Sequence, residues 1–572
     1  MSIQLILAQY LSGLRERNEL DLLLPDLLRE MGHTVLSRPQ IGVAQAGVDV
    51  VSTLAGDDGA EEVYLFIIKF GDVGREDFYS GKQAIEPSIR EAAVDFVRNR
   101  LPEPLRALRK RLVLVTNGVL KQEVQAGFSA LSVDVAERPN CSLELWNADK
   151  LTPLIEKYLF DEALLLDTGK SDLRAALAGL EETDTAVSRF VRFLDECFKA
   201  ALDEAVQGAS TRKKKFLRRA QAACMGWAVL LVWCKSEGNL KPGVLAGEYL
   251  LLRLWSEAIR SGFERDEAFE ERLSAAMLLY LNSLLAYFQR VGPQLASERA
   301  LLRYRPHRIL YAELLFEEMG RLAQFLLLLQ RAEDQASMRQ HAREMLIALI
   351  NEHTGFQLPV FDGQGIDITL VVMALMGEGD YENAQTLVAT VIGRFILALQ
   401  SDRDLPVDTD LREDAFAHSV ADSSHPREFF ETSSLIPALG VLAAMLGDEE
   451  SLKRLREEAQ PLLEGVTLER WYPAVELEAL TGTRGSVAGV GVSRAVSGFR
   501  DTVEDEIAAA MKVPGGAAAP SDFKWHGTPW KVFPVLSSRM WRHPVPTLFI
   551  NEYADTASAP EPDSSSAPGA AA

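Results

Sequence analysis

The chain has 572 residues, 47% of them hydrophobic and 25% charged, with a formal net charge of −22. That length fits roughly two to four domains of ordinary globular composition rather than a fibrous or disordered chain. The acidic balance repels polyanions at long range, so it disfavours non-specific nucleic-acid binding over the whole surface while leaving room for a local basic groove.

The first residues, "MSIQLILAQYLSGLRERNELD", carry no basic start and turn charged at once, which does not read as a signal peptide. "ELDLLLPDLLREMG" (19–32) has helical periodicity, with Gly32 as its natural stop. "HTVLSRP" is a short strand. "GVDVVSTL" (47–54) and "EVYLFIIKF" (62–70) are two strands joined by the turn "AGDDGAE". "KQAIEPSIREAAVDFVRNRL" (82–101) is helical, with Pro87 disturbing its start. Then come a buried strand "RLVLVTNG" (111–118), a helix (120–131), a strand "SLELWN" (142–147) and a helix (149–160). The order predicts an α/β domain with a mixed sheet over residues 1–165.

Beyond residue 170 strand signals nearly vanish and long amphipathic helices follow one another to about 460, an α-helical array or bundle. The stretch "ALMGEGDYENAQTLVATVIGRF" resembles one helix-turn-helix of a tetratricopeptide-type array, but no fixed period runs through this half. Residues 461–553 form an irregular part packed on the helical region. Within it, 524–553 hold three of the eight tryptophans, which reads as core or lid, with a base-stacking or ligand surface as the alternative. The tail 554–572 has too little apolar content to fold and reads as disordered. The longest apolar run, 222–234, is shorter than a membrane span and reads as a buried helix. Cys141, Cys197, Cys224 and Cys234 form no CxxC pair and read as free thiols of a reducing, cytoplasmic compartment.

One constellation could carry chemistry. Asp21 lies on the first helix, Asp49 on the second strand and Lys69 at the end of the third. Carboxylates hold Mg²⁺, the metal lowers the pKa of a bound water, and a lysine steadies the developing charge. The stretches "DLLLPDLLREMGHTV", "GVDVV", "IIKFGDVG" and "LVLVTNGVL" resemble the restriction-endonuclease-like fold of the PD-(D/E)xK superfamily, in its Mrr-like branch of bacterial restriction and phage defence. The resemblance implies a nuclease of antiviral defence. It assigns Asp49 and Asp21 as metal-binding catalytic acids, Lys69 as the catalytic lysine, Mg²⁺ as the cofactor if the site is active, and DNA as the partner. The chain departs from the pattern at Ile67, where the family carries Glu or Gln. Strand side chains alternate, so position 67 shares a face with Lys69. Three readings stay open: a degenerate site kept for binding, an active site whose acid has moved to Glu62, Asp72 or Glu19, and an ordinary surface acid and lysine.

Two basic clusters could track phosphates. One contains Arg106, Arg109, Lys110 and Arg111; the other contains Lys213, Lys214 and Lys215. Weaker candidates are His418 with His425, read by default as a loop, the Gly-rich 482–495, which lacks the ending of a phosphate loop, and Asn117 at a strand end. Two functions follow: nucleic-acid processing, with the helical half as sensor, or a catalytically degenerate interaction or scaffold protein whose helical half binds a protein partner or a second copy of the chain. Neither reading involves a membrane.

Overall fold

The computed structural model describes residues 11, 20–37, 47–56, 59–80, 84–159, 167–199, 209–297, 300–305, 307–330, 335–420, 428–482 and 490–550. Glu19, His425 and the tail 554–572 lie outside them. The chain divides into two compact units, Met1–Ala246 and Gly247–Ala572.

The first unit is built on a five-stranded mixed sheet in the order β1 (Thr34–Ser37), β2 (Val50–Ala55), β3 (Glu61–Lys69), β4 (Arg109–Thr116), β5 (Cys141–Trp146). β1–β2 and β2–β3 pair antiparallel, the second across the tight turn between Ala55 and Glu61; β3–β4 and β4–β5 are parallel and need helical crossovers. The first helix, α1 (Asp21–Glu30), precedes the sheet and stops at Gly32, whose φ of 97° favours glycine. The crossover from β3 to β4 contains α2 (Arg75–Tyr79), α3 (Ile85–Glu91) and α4 (Glu103–Arg106). Pro87 sits in the first turn of α3, where a missing N–H costs no intrahelical bond. α3 runs on as a π-helical segment, Ala92–Arg100, which the sequence periodicity did not suggest. α5 (Gln122–Ala136) joins β4 to β5, and α6 (Ala148–Leu159) follows.

One face of the sheet carries Val51, Val63, Leu65, Ile67, Leu112, Leu114 and Leu143 into a core closed by Phe78, Ile85, Ile89, Val124 and Leu131. The other face holds a ring cluster. Phe66 meets Trp146 edge-on at 5.4 Å, and His33 meets Tyr64 at 4.7 Å. The helices outside the first core, α1 and α6, pack on one another. The unit continues through α7 (Asp167–Ala178), α8 (Thr183–Phe198) and α9 (Ala209–Glu237), so three helices beyond residue 165 belong with the sheet. The apolar run 222–234 lies inside α9, mostly buried. Cys197 and Cys234 are buried, Cys141 and Cys224 half-buried, and all four are free thiols.

His33 gives this unit an acid-sensitive element. Its Nδ1 lies 2.9 Å from the Ser52 hydroxyl, and burial lowers its pKa from 6.5 to about 4. The unfolded chain therefore takes up a proton near pH 6.5 that the folded chain refuses until about pH 4. Stability from this residue is complete above 6.5 and falls through that window, by about 3 kcal/mol in all. Urea unfolding of wild type and His33→Gln at pH 7 and pH 4 should show the steeper loss in wild type.

α10 (Lys241–Ser261) crosses the boundary between the units. The second unit is mainly helical: α11 (Glu267–Leu295), α12 (Ala300–Tyr304), α13 (Arg308–Leu329), α14 (Ala336–Glu352), α15 (Gly365–Gly377), α16 (Tyr381–Ser401) and α17 (Arg412–Val420). α13 and α15 pack along each other and are buried over most of their length. α15 and α16 form the helix-turn-helix, turning at Gly379 (φ 72°), with the Asp380 carboxylate accepting the Asn383 N–H. By length and apolarity α16 could also cross a membrane, but half of its apolar window is buried within the protein.

The C-terminal part is more ordered than its composition suggested. β6 (Thr432–Ser433), β7 (Thr467–Pro473) and β8 (Gly491–Ala495) form a three-stranded sheet, accompanied by α18 (Leu435–Met445), α19 (Glu449–Arg454), α20 (Leu477–Leu480), α21 (Val503–Met511) and α22 (Phe533–Trp541). Trp525 and Trp530 are core residues, and Phe523 stacks on Trp525 at 5.0 Å.

Candidate active site at the end of the mixed sheet

The antiparallel register brings the start of β2 beside the end of β3. Val50 pairs with Phe66, and the Asp49 N–H donates to the Phe66 carbonyl at 2.8 Å. The Asp49 carboxylate then accepts the Ile68 N–H at 2.7 Å. Asp49 and Lys69 are thus neighbours at one end of the sheet. Lys69 is half-buried at its strand end and makes no ion pair with a described residue.

Position 67 has a different character. Ile67 is 1% exposed and belongs to the core beneath the sheet, between Leu65 on its own strand and Leu114 opposite. No water or ion has access there, and isoleucine offers neither a ligand nor a hydrogen-bond acceptor. Asp21 opens α1 and is half-buried. Among the described residues no three His, Cys, Asp or Glu side chains group so as to hold a metal ion. Among the described residues the acids thus form no three-ligand set: the position where the resemblance expects an acid is core, and one Asp49 oxygen accepts a backbone N–H.

The relocated acids lie elsewhere. Glu62 is on the opposite face of β3 from Lys69 and seven residues away, about 23 Å along the strand. It is buried and accepts from Arg111 at 2.6 Å. Asp72 is exposed and accepts the Val119 N–H at 3.0 Å.

A clasp of backbone and side-chain bonds fixes the loop after Lys69. Asn117, at the end of β4, accepts the Gly71 N–H and donates to the Leu11 carbonyl, both at 2.7 Å. Thr116 Oγ1 donates to the Gly71 carbonyl at 2.7 Å. Gly118 lies so close that a Cβ there would sit 2.3 Å from the Gly71 carbonyl carbon. Asn117 thus stands beside the candidate site as part of its frame.

The first basic cluster lies mostly on β4. Arg111 bridges Glu62 and Glu144 (2.6 and 2.7 Å) and stands over the Tyr64 ring at 5.8 Å. These contacts push its pKa above the usual arginine range, through hydrogen bonds to Glu62 and Glu144. Arg109 pairs with Glu62 at 3.4 Å, Lys110 is buried, and Arg106 donates to the Leu101 carbonyl. Lys213, Lys214 and Lys215 lie in the first turns of α9, with Lys214 exposed and the other two half-buried. Arg218 on the same helix pairs with Glu30 of α1 at 3.0 Å. His418 meets the Phe429 ring at 5.8 Å, and burial lowers its pKa. The sequence reading did not single out His33 or Thr116; their roles depend on a cross-strand hydroxyl and on a loop carbonyl 45 residues away.

Comparison with protein-family models, with curated proteins and with solved structures gives no match to this chain.

Proposed function

We propose that the N-terminal α/β part is a nuclease-derived module that has lost metal-dependent phosphodiester hydrolysis and acts by binding. The helical second unit then serves as sensor or partner-binding part, in an arrangement like those of bacterial restriction and phage defence. The observation that carries this reading is Ile67, buried in the core at the position where a metal-binding acid would stand. The Asp49 carboxylate supports it, since it closes the end of the strand pair. The neutralised Arg109 and Arg111 favour a protein or second-copy partner over a broad DNA track.

A second reading keeps catalysis, because Asp49 and Lys69 remain adjacent. Plasmid and single-stranded DNA incubated with Mg²⁺ or Mn²⁺ separate the two. The proposal expects no cleavage by wild type. Cleavage that Asp49→Ala and Lys69→Ala both abolish would establish the second reading instead.

A further inference from the structure

β7 and β8 place two arginines directly opposite each other. Arg470 pairs in register with Arg494. Like charges on facing positions of an antiparallel pair destabilise it unless something between them carries the opposite charge. Glu506, on α21, supplies one carboxylate: it accepts from Arg470 at 2.8 Å and from the Arg500 backbone N–H at 3.0 Å. That matches one arginine only.

The face between these strands, the segment 496–500 and α21 encloses a pocket of about 180 Å³. Its described lining contains Arg470, Arg494, Arg500 and Lys512 against the single acid Glu506. Four cations against one anion leave a local excess of positive charge in a chain of net charge −22. Arg470 is 9% exposed, and its Nε is buried without a hydrogen-bond partner. Arg494, Arg500 and Lys512 are exposed at the mouth, and their side chains make no ion pair with a described residue. A largely buried guanidinium in the wall, matched by one carboxylate, and three exposed cations in the same lining suit a compact, multiply charged oxyanion. The volume lies below the roughly 300 Å³ at which drug-sized pockets begin. It accommodates a phosphate group with little attached.

We propose that this pocket binds the phosphate group of a small molecule, with Arg470 as the buried anchor and Arg494, Arg500 and Lys512 as the rim. Guanidinium groups suit this role because their planar N–H pairs match phosphate oxygens. The site is separate from the sheet of the first unit and does not depend on the function proposed for it.

The test is calorimetric titration of the full chain with inorganic phosphate and with pyrophosphate at low salt. A single-phosphate site takes both; preference for pyrophosphate would assign a diphosphate-bearing ligand within the same class. Arg494→Glu and Arg500→Glu each change an exposed side chain, and circular dichroism will verify their folding. Each should weaken binding by at least about tenfold, the loss of one charge-assisted contact. Arg494→Lys should retain most of it, and added NaCl should weaken binding in wild type. No binding of either anion by wild type, or affinity unchanged in both glutamate variants, overturns the proposal.

Discussion

Arg539→Ala is expected to destabilise the second unit by about 3–5 kcal/mol, because it leaves a buried carboxylate without its countercharge. Arg539 lies on α22 and donates through one nitrogen to both oxygens of Glu248, at 2.8 and 2.9 Å. Glu248 is 2% exposed. The Tyr280 hydroxyl also donates to it at 2.8 Å, and Gln324 donates to that hydroxyl at 2.8 Å. Burial beside Glu248 pushes the Tyr280 pKa up, so the phenol stays protonated and keeps donating. Every member of this chain is buried, so water cannot replace a lost partner. Thermal and urea unfolding of Arg539→Ala measure the loss. The double variant Glu248→Met with Arg539→Met should recover much of it, because it removes both charges and keeps the volume. A single-variant loss below about 1 kcal/mol would mean that the pair is hydrated, as exposed pairs are.

Ile67→Glu should cost the first unit about 3–5 kcal/mol, as expected for an uncompensated charge in a core. Ile67 belongs to the apolar core on the covered face of the sheet, and Lys69 follows two positions along the same face of the strand. The metal response of this variant is the informative part. A ligand that binds only the folded state raises its stability. If Mg²⁺ or Mn²⁺ leaves the melting temperature of Ile67→Glu unchanged, the end of the sheet has lost its metal-binding shape along with its acid. A rise in Ile67→Glu that is absent in wild type would show that Asp49 and position 67 still address one ion. It would support descent from a nuclease by a single lost ligand.

The sheet of the first unit was legible because each strand carries its own signal. "VYLFIIK" is a continuous apolar run with a polar end, and "AGDDGAE" marks a tight turn, so β2, β3 and their antiparallel pairing follow from local pattern. The adjacency of Asp49 and Lys69 follows from that hairpin. Ile67 was legible as an odd residue, but its burial depends on helices that arrive from residues 78 to 135. The small C-terminal sheet was not legible. β6 has only two residues, and β8 lies in a Gly- and Ser-rich stretch whose pattern suggests a loop. The Glu248–Arg539 pair was equally hidden. Its partners are 291 residues apart, and "SSRMWR" has no local feature that marks Arg539 as an interior residue. The Arg470–Arg494 juxtaposition was hidden for the same reason, since a register between distant strands cannot be read from either strand alone.

The clasp around Asn117 has a dynamic consequence. One amide side chain holds the loop after β3 with its oxygen and the backbone at Leu11 with its nitrogen. Neither segment can move away from the sheet without breaking a bond to the same buried residue. Opening at the Lys69 end is therefore a joint event involving residue 11, β4 and the loop at Gly71, rather than the independent fluctuation of a surface turn.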